Sequence, residues 1–307
     1  MTNIERSTLI KGSAAIAISA VLWGVDGVVL TPSLFNLDVG YVVFVLHAFP
    51  FLLMHLFFAK QYRFIGKMPR QDVITFLLIS LLGGAIGTLA IVKALFLLDF
   101  IHLSIVVLLQ KLQPVFAILL ARTILGEKLK QRFIQWASLA IFAGYFLTFG
   151  WARPDFDTDS NTIYAASLAL LAAFSFGSST VLSKKILGNY SFVTSTFYRY
   201  GFTSLIMLVY MIFLGDFGQF QQTTNENWMY IVIIGLTTGS GAIFLYYYGL
   251  RKVKAILATI SELMFPLSAV IFDYFINGSV LSYVQWIAAA LMLFAIFRLN
   301  AEPEKIS

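Results

Sequence analysis

Ten apolar runs, each 19–25 residues long, fill almost all of this 307-residue chain. A helix needs about 20 predominantly apolar residues to cross a ~30 Å hydrocarbon core, so every run is long enough to span a bilayer. They cover residues 10–31, 38–59, 73–97, 101–123, 131–151, 162–186, 192–214, 228–250, 254–275 and 281–299. The polar stretches between them are too short to fold as a separate soluble domain. Charged residues make up 12% of the chain, against roughly 25% in soluble domains. These features predict an all-α integral membrane protein with ten transmembrane helices. The first run follows Arg6 and Lys11, as a signal peptide's apolar core would, but it is too long for one and nine more runs follow.

The 21 Lys and Arg residues give a net charge of +6, but they lie in short clusters between the runs rather than on one surface, which argues against a nucleic-acid partner. If the N-terminus is cytoplasmic, seventeen of them fall on the inside and only Arg153 on the outside, leaving Lys93, Lys111 and Arg199 within spans. That asymmetry predicts both termini in the cytoplasm.

The chain also repeats itself. A shift of 152 residues lays Gly83 on Gly235, Gly87 on Gly239, Pro114 on Pro266 and Gly126 on Gly278, and a shift of 150 lays Gln135-Trp136 on Gln285-Trp286. Residues 1–155 and 156–307 are therefore expected to be two five-helix repeats. Because five is odd, the second lies inverted in the membrane relative to the first, the architecture of many secondary transporters.

The segment Gln113-Pro114-Val115-Phe116-Ala117-Ile118-Leu119-Leu120, followed by Gly126-Glu127, Gln135-Trp136 and an Ala/Gly-rich helix, resembles the repeat unit of the drug/metabolite transporter superfamily in its ten-helix EamA-type branch. In the second half Pro266 and Gly278 are kept, but Ser279 stands where the pattern has an acid. The resemblance implies a 5+5 inverted repeat around a central cavity that moves small metabolites, often outward.

Charged groups at bilayer depth cost at least ~2.5 kcal/mol each, so those present need a reason. At about 100° per residue, Thr259, Glu262, Pro266, Asp273 and Asn277 fall within one narrow sector of the ninth helix, predicting a polar stripe turned to the bundle interior. The matching face of the fourth helix carries Gln110 and Pro114, with Lys111 next to it. The substrate-site candidates are Asp26, His47, Gln110, Lys111, Arg199, Tyr246, Thr259 and Glu262; Glu262 and Asp26 are the candidate proton carriers, and Pro114 and Pro266 the candidate hinges, since proline removes a backbone donor and frees a carbonyl. Alternative structural readings are an ion pair between Glu262 and Lys111, snorkelling of Arg199, pairing of Lys93 with Asp99, and an aromatic belt of Tyr246, Tyr247 and Tyr248. Close helix packing is the role expected of the glycine pairs, and interfacial anchoring that of the five tryptophans, Trp23 among them.

Three scattered histidines and no cysteine offer no metal-ligand set or thiol nucleophile. There is no phosphate-binding Gly-x-x-x-x-Gly-Lys-Ser/Thr motif, and neither an enzyme nor a cofactor is expected. The expected function is a secondary transporter in the bacterial inner membrane, an exporter or exchanger working by alternating access. Balanced buried charge favours a small polar or zwitterionic metabolite such as an amino acid, with organic cations or drugs, or a non-transport scaffold, as alternatives. The expected partners are that substrate, the lipid bilayer and protons, with the chain a monomer or homodimer.

Overall fold

The computed structural model describes residues 3–97, 106, 109–128, 131–152, 160–278 and 280–301. Asp99, Arg153, Ser279 and most of the first half of the expected fourth span lie outside them. The described residues are helices joined by short connections, with no strand among them. In chain order the helices are α1 (Asn3–Val25), α2 (Val39–Phe58), α3 (Arg70–Ile79), α4 (Gly87–Leu97), α5 (Gln113–Ile124), α6 (Gln131–Phe149), α7 (Ser160–Ile186), α8 (Phe192–Leu214), α9 (Asn225–Ile234), α10 (Ser240–Lys252), α11 (Ala255–Ser261), α12 (Met264–Ile276) and α13 (Tyr283–Ala301).

Eight helical segments among the described residues are long and apolar enough to cross a membrane. The expected fourth and fifth spans are represented by the 12-residue α5 and the 19-residue α6. Gln131, Arg132 and Gln135 make the start of α6 polar, which lowers its hydropathy.

Helix starts follow local chemistry. The Asp38 carboxylate accepts from the amides of Gly40 and Tyr41 at 2.7 and 3.1 Å to begin α2, and Thr224 and Asn227 form a reciprocal capping box at the start of α9. Gly215, at φ 76°, ends α8 in the left-handed region.

Three spans carry π-helical segments at Asp26–Leu30, Ser80–Ile86 and Gly235–Gly239. The second and third sit at corresponding places in the 152-residue shift. A π turn bonds i to i+5, which misaligns the backbone ladder and changes which side chains stack on one another; such turns cluster at functional sites.

Two other spans break outright. Ahead of Pro114 the chain turns at Lys111-Leu112, and ahead of Pro266 it turns at Glu262-Leu263, separating α11 from α12. Short bonds replace the regular ladder, Leu112 N to Leu109 O at 3.0 Å and Phe265 N to Glu262 O at 2.9 Å. The expected continuous stripe on the ninth helix is thus divided. Proline cannot donate to the carbonyl four residues back and its ring crowds that carbonyl, so the helix bends where a constant angular step assumes it is straight.

Small residues bring the helices together. Ala137, Ala140 and Ala143 of α6 meet Ala288, Ala289, Met292 and Ala295 of α13, while α1 packs on α10 and α12, α2 on α8, and α7 on α4 and α5. A Cβ at Gly83 would run into Ser179, and one at Gly235 would crowd Phe49 and Pro50, so those glycines serve close packing as expected. Large apolar side chains including Leu56, Phe57, Phe213 and Phe297 point outward, as a lipid-facing surface requires.

Candidate functional site

The two helix breaks face one another across a narrow cleft with about 30 Å³ of internal space, lined by Gln110, Lys111, Gln113, Pro114, Thr259, Glu262, Leu263, Phe265 and Pro266. In this conformation it has room for a water or two. Every lining residue comes from one of the two broken spans, one in each half of the chain. Breaking the helices leaves their freed backbone groups and nearby polar side chains around a space where a continuous helix would present only apolar surface.

Glu262 sits at the second break and is the hub of the cleft. Gln113 Nε2 donates to Glu262 Oε2 at 2.5 Å, Tyr246 Oη donates to Glu262 Oε1 at 2.5 Å, and the Thr180 hydroxyl reaches the same oxygen at 3.5 Å. Thr180 and Tyr246 also bond each other at 2.9 Å. The Tyr246 ring lies 5.4 Å from that of Trp23. Three other spans therefore converge on one carboxyl group through Gln113, Tyr246 and Thr180, and Trp23 of a fourth packs on Tyr246. Thr259, fully buried in the same cleft, has a hydroxyl with no hydrogen-bond partner.

The ion pair between Lys111 and Glu262, the alternative structural reading of both residues, does not form. Lys111 Nζ turns to α6, donating to Gly144 O at 2.7 Å and to the Thr148 hydroxyl. Arg199 does not snorkel; it is 8% exposed. Its Nη1 donates to Tyr247 Oη and its Nη2 to Gly83 O, both at 3.1 Å, while Nε has no partner. Gly83 lies in the Ser80–Ile86 π segment, so a perturbed helix supplies the acceptor for this buried cation. Tyr247 in turn bonds Ser183 at 2.7 Å. Tyr246 and Tyr247, both almost fully buried, are thus cavity and network residues rather than an aromatic belt; only Tyr248 fits that description, with Lys252 over its ring. Trp23 likewise faces Tyr246 in the interior instead of anchoring at an interface.

The other candidates lie outside the cleft. His47 Nδ1 bonds Val43 O at 2.8 Å and its ring sits 5.3 Å from Tyr200, satisfied within its own helix. Asp26 opens a π turn and faces the hydroxyls of Thr31 and Thr238. Asp273 accepts from Asn277 at 2.7 Å, near the end of α12. Lys93 approaches the ring of Tyr164, and its expected partner Asp99 is outside the described residues.

The EamA-like transporter family matches this chain twice, over residues 10–150 and 163–301. The chain belongs to that family. It is a multi-pass membrane transporter and not an enzyme. A protein of Fusobacterium nucleatum named riboflavin transporter ImpX is 51% identical over 292 residues, covering 95% of this chain and 98% of its own. An uncharacterized transporter of Archaeoglobus fulgidus is 26% identical over 287 residues, covering 92% and 93% of the two chains. A solved crystal structure superposes with a TM-score of 0.65 at 16% identity, covering 92% of this chain and 94% of the other, a likeness of fold alone.

Several residues at the site were not singled out for it by sequence reasoning: Trp23, Gln113, Thr180, Ser183, Tyr247 and Phe265. Thr180 and Ser183 belong to a visible signal, the row of hydroxyls at Ser175, Ser178, Ser179, Thr180 and Ser183 in α7, whose spacing puts several on one helix face. Nothing along the chain links Gln113 to Glu262, which are 149 residues apart.

Proposed function

We propose that this EamA-like transporter carries riboflavin, or a chemically similar uncharged heteroaromatic compound, across the bacterial inner membrane by alternating access. The observation that carries the reading is the 51% identity, over almost the full length of both chains, to a protein named a riboflavin transporter. The chemistry of the cleft supports it. Gln110 can both donate and accept, as the edge of a flavin ring demands, and Phe265 lines the cleft with aromatic surface that suits a flat tricycle.

The charge arrangement also moves the substrate away from the zwitterion that composition suggested. Lys111 and Arg199 donate to protein acceptors, and Glu262 already accepts three hydrogen bonds. A charged ligand would have to displace these contacts. An organic cation is the second reading, favoured by one feature: a carboxylate beside the Trp23–Tyr246 pair.

The proposed architecture is ten crossings in two inverted repeats, divided near residue 155, with both termini cytoplasmic. Pro114 and Pro266 act as hinges. Glu262 and Asp26 are the candidates for ion coupling. Purified protein reconstituted in proteoliposomes is expected to move radiolabelled riboflavin with saturation, unaffected by excess amino acids. Transport of an amino acid or an organic cation without riboflavin binding would overturn the assignment.

A further inference from the structure

Away from the cleft, Asp26 presents a second polar site. It begins the Asp26–Leu30 π turn, whose closing bond runs from Thr31 N to Asp26 O. In a π turn residue i+5 stacks over residue i, so the Thr31 side chain lies over that of Asp26. From the other side comes Thr238, in the Gly235–Gly239 π segment, which packs against α1. Both threonine hydroxyls face the Asp26 carboxylate. Yet Asp26 Oδ1 and Thr238 Oγ1 are each sealed from solvent with no hydrogen-bond partner, and Thr238 is only 2% exposed.

Asp26 is half-buried with one carboxylate oxygen sealed, and a carboxylate so placed is costly to hold ionised unless a proton or a counter-charge meets it. No basic side chain among the described residues pairs with Asp26, and the buried cations Arg199 and Lys111 are committed elsewhere, to Gly83 and Tyr247 and to Gly144 and Thr148. What remains is an oxygen-only donor set with one negative charge. Hard cations prefer oxygen ligands, and a single carboxylate neutralises a monovalent ion, whereas a divalent one would leave a net charge at membrane depth.

We propose that Asp26, Thr31 and Thr238 form a binding site for a monovalent cation of sodium size. The site joins a π turn of the first span to a π turn from the other half of the chain, so occupancy ties the two halves together. Its use as the coupling ion rests on the transporter reading; the binding itself does not.

The test is thermal unfolding of the full-length protein in detergent at constant ionic strength, in sodium, potassium or choline chloride. A ligand that binds the folded state raises its apparent stability as concentration passes the Kd. Sodium should raise the Tm saturably, and potassium and choline should not. Thr238→Val, which keeps the shape and removes one oxygen, should weaken the apparent sodium affinity by about tenfold or more, whereas Thr238→Ser, which keeps the hydroxyl, should bind sodium as the wild type does; Asp26→Asn should abolish the response. Equal melting in all three salts, a response shared by potassium, or a sodium response undiminished in Thr238→Val would overturn the site. Riboflavin is tested on the same samples in choline. A sodium response without a riboflavin response upholds the cation site and overturns the substrate assignment, and the reverse result overturns the cation site alone.

Discussion

The Tyr246–Glu262 hydrogen bond gives the sharpest test of the central cluster. Tyr246 is 3% exposed, so Tyr246→Phe removes one hydroxyl and leaves almost no cavity. That hydroxyl donates to Glu262 Oε1 at 2.5 Å and also bonds Thr180 at 2.9 Å. A hydrogen bond to a charged partner contributes about 1.5–3 kcal/mol, so the single substitution should cost about 2 kcal/mol. At about 2–4 °C per kcal/mol for a large chain, the expected fall in Tm is roughly 4–8 °C. Glu262→Gln weakens the same contact from the other side: the amide is uncharged, and its NH2 meets Gln113 Nε2 or Tyr246 Oη, both donors to the native carboxylate. Melting the wild type, both single variants and the double variant closes a mutant cycle, with an expected coupling of about 1.5 kcal/mol or more. Additivity within about 0.5 kcal/mol would mean that the two side chains do not interact, and the reading of Glu262 as the hub would fail.

Three further outcomes are expected. Glu127→Ala removes the carboxylate that accepts from Ala255 N at 2.8 Å and Ile256 N at 3.0 Å; by the usual cost of losing an N-cap, about 1–2 kcal/mol, amide exchange over Ala255–Ser261 should accelerate roughly tenfold, and unchanged exchange would refute the cap. Because the chain has no cysteine and the space around Gly66 and Gly218 is open, Gly66→Cys should react with an impermeant maleimide only from the cytoplasm and Gly218→Cys only from outside; labelling of both from one side contradicts the proposed topology. Pro114→Ala and Pro266→Ala restore a backbone donor at each break and should slow riboflavin exchange more than they alter its Kd, while unaltered rates would show that the breaks are not hinges.

Features that depend on one segment at a time were legible in the sequence. Residues 192–214 were expected to be a span and form α8 over Phe192–Leu214, because a long apolar run bounded by Ser191 and Gly215 leaves little choice of where a helix starts and stops. Glu262 and Thr259 were also accessible, since a polar residue deep in an apolar run has to face something polar. Contacts across the bundle were not. Lys111 is as plausible a partner for Glu262 as Gln113 is, and only the turn at Lys111-Leu112 sends one side chain to Gly144 and the other to Glu262. Tyr246 and Tyr247 misled for a related reason: three tyrosines just ahead of Arg251 and Lys252 look like an interfacial belt, and the helix's neighbours alone reveal that two of the three point inward. The π turns are invisible to any pattern of fixed period, because they are departures from one.

The two halves share a backbone plan and differ in the chemistry placed on it. At the 152-residue offset Gln110 answers to Glu262 and Gln113 to Phe265, while the prolines correspond. Proline dictates the break in both copies, whereas the side chains beside it are free to diverge. Two carboxylates facing each other across the cleft would repel strongly at low effective dielectric; one carboxylate facing an amide forms a 2.5 Å hydrogen bond instead. Glu127 adds a second asymmetry, tying the end of α5 to the first amides of α11. On the proposed alternating-access cycle, an opening at that end of the cleft would have to separate Glu127 from Ala255 and Ile256. A cap contributing about 1.4 kcal/mol would shift such an equilibrium about tenfold, so Glu127→Ala should raise the share of molecules open at that end, and an unchanged share would show that the cap does not bias the cycle.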